Sequence, residues 1–165
     1  MKKLISLVFI AACAPTGAND PGHEFQEERV HEAGQVKMTI PHGWQVNGDG
    51  DTMNIESPDH SVDLQVTVVD GSDLAATLVG VGVGMLVGYD DLALEGAPVS
   101  GQINGMNALF QDGRGKFHGE PVNLSVGLID TPANKFLLVV GEAEPGAFEE
   151  HRHAIKHFIE DIRPL

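Results

Sequence analysis

The sequence predicts an α+β domain built on an antiparallel β-sheet of about six to seven strands flanked by helices. Three observations carry that expectation. Polar and apolar residues alternate along several stretches of both halves of the chain, the period of a half-buried strand. Tight-turn residues such as Asn104-Gly105 join successive strands, which makes them antiparallel. Two stretches of helical spacing, one midway and one at the end, supply the flanking layers.

The first thirteen residues read differently from the rest. Lys2 and Lys3, the apolar run Leu4 to Ile10, Ala11-Ala12 and the sole cysteine, Cys13, follow the layout of a secretory signal. The apolar run is too short to span a bilayer, which takes roughly 20 residues. Ile10-Ala11-Ala12-Cys13 resembles the lipobox of bacterial lipoproteins. That resemblance implies removal of residues 1–12 as a lipoprotein signal peptide and a covalent lipid, palmitate included, on Cys13. Two or more acyl chains hold a protein at a membrane because each buried methylene contributes about 0.8 kcal/mol. With Cys13 lipidated, no thiol is left for a disulfide or a nucleophile. Ala14 and Pro15 follow the cysteine without the aspartate associated with inner-membrane retention in enteric bacteria. The expected place is therefore the cell envelope, at an outer membrane facing the periplasm if the host is Gram-negative.

Residues 13–34 read as the lipidated cysteine and a flexible acidic tether, with Pro15, Gly17, Pro21 and Gly22 and then a charged run from Glu24 to Glu32 that also admits a short helix or an edge strand. A coil of that length spans roughly 20–30 Å. Residues 35–165 form the domain. Gln35 to Ile40 alternates and ends at Pro41-His42-Gly43, and Trp44 to Val46 resumes the pattern. Asn47 to Asp51 turns, Thr52 to Glu56 is a short strand, and Ser57 to His60 turns again. Val62, Leu64, Val66 and Val68 then point one way while Asp63, Gln65 and Thr67 point the other.

Gly71-Ser72-Asp73 starts a helix in which Leu74, Leu78, Val81 and Met85 share a face. Gly80, Gly84 and Gly88 recur every fourth residue and give it a flat edge, although the Val-Gly alternation of residues 79–84 also fits a strand. Residues 97–103 and 106–111 form a hairpin about Asn104-Gly105, and Asp112 to Gly115 reads as a second turn. Strands follow over 122–128 and 135–141, and Phe148, Ile155, Ile159 and Ile162 mark one face of a closing helix.

The order of Ile40-Pro41-His42-Gly43-Trp44, Ile103-Asn104-Gly105-Met106, Leu128-Ile129-Asp130 and the helix from Phe148 to Ile162 resembles the PsbP-like family across most of Val36 to Ile162. This resemblance implies an α/β/α sandwich. It carries over no catalytic residue, and it implies a binding or assembly role rather than catalysis.

Composition narrows the partners. The chain holds 24 acidic and 10 basic residues, a net charge of −14, which repels nucleic acid and anionic headgroups. A membrane reached through the lipid anchor and a protein or small ligand remain as partners, with no cofactor expected. Asn47, Asp49 and Asp51 alternate like calcium-loop ligands, but Thr52 and Pro58 stand where that loop needs Gly and Glu, so the stretch reads as a turn. His151, His153 and His157 are the metal candidates. Helix geometry places His153 and His157 together on a polar face and His151 on the apolar one. A metal-binding lipoprotein using His153 and His157 is therefore the alternative function. Gly80 to Gly84 lacks dinucleotide-fingerprint spacing. The glycine edge reads as packing, on the domain's own sheet in preference to a partner helix. No Gly-x-Ser-x-Gly, His-Glu-x-x-His or free cysteine suggests an enzyme.

Overall fold

The computed structural model describes residues 27–85 and 87–165. Cys13, the expected signal peptide and most of the expected tether lie outside the described residues.

Among the described residues ten strands form two antiparallel sheets. The larger has seven, in the order β3 (Gln45–Asp49), β4 (Thr52–Glu56), β5 (Val62–Val69), β9 (Phe136–Ala143), β8 (Glu120–Asp130), β7 (Met106–Phe117) and β6 (Asp90–Ile103). The smaller has β1 (Glu27–His31), β2 (Val36–Ile40) and β10 (Arg163–Pro164), with β2 in the middle. Helix α1 (Leu74–Met85) packs on one face of the large sheet, over its β7, β8 and β9 side. The short α2 (Ala147–Glu150), α3 (Arg152–Glu160) and the small sheet cover the other.

Alternation sorts side chains to these faces as the sequence predicts. Val62, Leu64 and Val66 enter the main core with Met38, Ile55, Val139, Ile155, Phe158 and Ile162. Burying each such side chain contributes roughly 1.5–3 kcal/mol. Leu109, Val126, Leu128, Phe136 and Leu138 point the other way and form a second core under Leu78 of α1. Gly127 is required by the main core, because a Cβ there would stand 2.8 Å from the Phe110 ring.

Four expectations are corrected. Residues 27–34 are not tether: Glu27 to His31 pairs with Ile40 to Val36, and Arg163 binds Glu28 at 2.6 Å. His31, fully buried, accepts from the Gly34 amide through Nδ1 and donates through Nε2 to the Asp51 carbonyl. Polar periodicity concealed this strand because it lies at a sheet edge with its first four residues exposed. Asp112 to Gly115 is not a turn. Strand β7 continues to Phe117, and a Cβ at Gly113 or Gly115 would crowd the Ala93 or Asp90 carbonyl at 3.1 and 3.2 Å, so these glycines serve close strand approach. Strand β6 begins at Asp90 rather than 97. Its bulges, one with Gly96 at φ +68°, erase the alternation, and Gln111 holds that bulge by donating to the Glu95 carbonyl at 2.7 Å. The closing helix breaks at His151, which separates α2 from α3.

Asn104-Gly105 forms the expected turn with φ of +47° and +85°. Asn104 Nδ2 also donates to the Glu160 and Ile162 carbonyls, at 2.8 Å each, and so ties this hairpin to the end of α3.

Candidate interaction surface

Helix α1 forms because Asp73 caps it, its carboxylate accepting from the Ala76 amide at 2.8 Å. Leu74, Leu78, Val81 and Met85 then pack on the second core. Residues 74–88 carry no ionisable side chain. A surface helix ordinarily opposes its apolar stripe with charge. Here the outward side is apolar as well, with Val79 and Val83 at 68% and 62% exposure, and Val87 in the turn just past the helix is 93% exposed.

The glycine edge does not pack on the domain's own sheet. A Cβ on Gly80 or Gly84 would meet nothing within 4 Å, and Gly88 lies beyond the helix end, where its amide donates to the Met85 carbonyl. The helix orientation fixes where this edge faces. A Cβ on Gly71 would meet both Thr77 and the Phe136 ring, so the Thr77 flank lies toward β9, whereas Gly82 lies toward Leu94 of β6. At 3.6 residues per turn, Gly84 and Gly80 fall about 20° and 60° from Thr77, and Gly82 about 140° the other way. The glycine flank therefore borders the half of the sheet that α1 leaves bare.

That half is made by β3, β4 and β5. Its residues on the α1 side include Gln45, Asn47, Thr52, Asn54, Glu56, Asp63, Gln65 and Thr67, all wholly or partly exposed. Register brings three carboxylates into one row: Glu56 pairs with Asp63, and Asp63 with Glu142 on β9. Like charges directly across a ladder repel. Partial burial, then Glu56 and Glu142, raises the Asp63 carboxyl above the ordinary carboxylate value. Tyr89, just past α1, closes the row by donating its hydroxyl to Glu142 at 2.8 Å. Burial, with that carboxylate and Asp63, pushes the phenol up.

The histidines separate as helix geometry predicts. His151 turns inward, edge-on to Trp44 with ring centroids 5.5 Å apart and bonded to Asp59 at 3.0 Å. Asp59 also accepts from Ser57 and Ser61, and these hydroxyls and His151 hold its carboxyl well below the ordinary range. Ser57 is buried and spent on Asp59 and the Val62 amide, so this Ser, Asp and His form a clamp between the β4–β5 loop and the last helices. His153 and His157 face outward with ring centroids 4.6 Å apart. Among the described residues no group of three or more His, Cys, Asp or Glu is placed to hold a metal. Asn47, Asp49 and Asp51 belong to the β3–β4 hairpin, in which Asp49 pairs with Thr52.

Between the sheet and α3, Leu64, Phe110, Val139, Phe148 and Ile159 line an apolar cavity of about 20 Å³, space for roughly one water. No helix among the described residues is long and apolar enough to cross a membrane.

The carboxylate row escaped sequence reasoning. Alternation put Asp63 on an outer face, but only the insertion of β9 beside β5 brings Glu142, 79 residues further on, next to it.

No protein-family model matches this chain, nor does any curated protein. Solved structures do. CyanoP, the cyanobacterial PsbP of Synechocystis sp. PCC 6803, aligns with a TM-score of 0.64 over 92% of this chain and 100% of its own at 12% identity. LpqN of Mycobacterium tuberculosis, described as involved in cell envelope biogenesis, aligns with a TM-score of 0.56 at 11% identity over 86% of each chain. A Pseudomonas aeruginosa protein of unknown function, described as a putative regulator, aligns at 0.55 with 17% identity over 83% of this chain and 94% of its own. At such identities the likeness is one of fold, and the seven-stranded antiparallel sheet with its helices on both faces is a PsbP-like α+β fold.

Proposed function

We propose that this chain is a lipid-anchored cell-envelope protein whose PsbP-like domain is a non-catalytic binding or assembly module. One observation carries the binding role: α1 presents a charge-free outer face, with Val79 and Val83 exposed and Val87 exposed just past its end, on a chain of net charge −14. Exposed apolar surface on an otherwise polar protein marks a place of association. The anchor rests on the lipobox-like Ile10-Ala11-Ala12-Cys13, and the envelope description of LpqN, a protein of similar fold, is consistent with that location.

The test is site-specific photo-crosslinking in intact cells, with the crosslinker at Val83 and, as control, at exposed Glu120 on the far hairpin. The reading expects a discrete protein adduct from Val83 alone. Identical adducts from both positions, or none from either, would overturn it. Mass spectrometry of the mature N terminus tests the anchor separately, since an unmodified Cys13 would remove it.

A further inference from the structure

We infer that the bare half-face of the large sheet, beside the glycine flank of α1, is the seat of a basic amphipathic helix supplied by another protein, an inference that rests on the binding role proposed above. Three strands spaced about 4.8 Å apart make a strip roughly 10–14 Å wide, and one helix with its side chains is about 10–12 Å across. The α1 layer is thus one helix short of covering its sheet.

The wall of this seat is unusual. Gly80 and Gly84 lie one helical turn apart on the flank of α1 that borders the strip, each with open space where a Cβ would be. Interior glycine destabilises a helix relative to alanine, and among the described residues nothing packs against these two. A flat glycine flank lets a second helix approach more closely than the usual 8–10 Å between axes.

The floor decides the occupant. Glu56, Asp63 and Glu142 stand in line across β4, β5 and β9 with Asn54, Gln65 and Thr67 beside them. Among the described residues no lysine or arginine pairs with any of the three, and the one imidazole is His60 on Glu56 at 2.7 Å. A wholly apolar helix would strand these groups, whereas lysines or arginines over the row would relieve its repulsion. Other occupants fit less well. Residues 14–26 of this chain hold Asp20 and Glu24 and no lysine or arginine, and a second copy brings another net charge of −14. Both would add like charge to the row.

The experiment titrates the full chain with a fluorescent synthetic helix of leucine, alanine and lysine, lysines on one face, beside the same peptide with glutamate for lysine. The lysine helix should bind at least about tenfold more tightly than the glutamate helix, weakening as salt rises. Gly84→Leu, whose side chain enters open space, should leave the melting temperature unchanged or higher and weaken binding about tenfold or more. The double variant E56Q/D63N should retain the fold and lose most of the salt dependence. Equal binding of both peptides, or of wild type and Gly84→Leu, overturns the inference. So does a photo-crosslink from Gln65 to residues 14–26 or to a second copy. A partner adduct from Val83 without lysine-helix binding would leave the binding role standing and remove only this seat.

Discussion

Asn104→Gly separates two tasks that one side chain performs. Asn104 sits at φ +47° in the β6–β7 turn, a conformation that glycine adopts as readily, so the turn survives the change. What is lost is the pair of 2.8 Å bonds from Nδ2 to the Glu160 and Ile162 carbonyls, which anchor the end of α3 over the core. Each such bond contributes about 0.5–1.5 kcal/mol net, so the variant should lose about 1–3 kcal/mol. Asn104→Ala should lose a further 1–2 kcal/mol or so, because its Cβ is strained at positive φ. Urea denaturation followed by circular dichroism reads both, with unchanged slope and shifted midpoint. An Asn104→Gly protein as stable as wild type would refute the anchoring role, and equal losses in the two variants would refute the separate strain contribution.

Asp63→Asn should stabilise the fold at neutral pH. The folded-state value of Asp63 is raised by burial and by Glu56 and Glu142, so from about pH 4, the unfolded value, up to that raised value the folded chain holds a proton that the unfolded chain releases. Stability therefore falls as pH rises through that window, and urea midpoints of the asparagine variant should show a shallower fall; an unchanged profile would remove the repulsion argument. Gly127→Ala forces a Cβ within 2.8 Å of the Phe110 ring and should destabilise by about 1–3 kcal/mol, seen as a lowered thermal midpoint. Zinc calorimetry of the full chain should give no saturable uptake dependent on His157, since His153 and His157 are two exposed imidazoles without a third donor among the described residues. Uptake abolished by His157→Ala would instead favour the metal-binding alternative.

Local signals were legible where one residue dictates its own geometry or one period dictates a face. Asn104-Gly105, the alternation of residues 62–68 and the spacing of Leu74, Leu78, Val81 and Met85 all appear in the structure as read. Glycine misled twice, because its conformational freedom and its lack of a side chain leave the same mark in a sequence. At Gly113 and Gly115 it permits close strand contact instead of a turn, and at Gly80 and Gly84 it faces open space instead of the sheet.

The sequence alone thus determined the fold class and the inward faces of its plainly periodic stretches, the alternating strand at 62–68 and the Leu74, Leu78, Val81 and Met85 stripe, all consequences of short-range periodicity. Tertiary structure decided strand order, and with it everything specific about the surface. Inserting β9 between β5 and β8 places Glu142 beside Asp63 and, among the described residues, leaves the α1 side of β3, β4 and β5 without a helix over it. Such pairings join residues far apart in the chain and are set by how the layers share their apolar faces, so no local pattern records them.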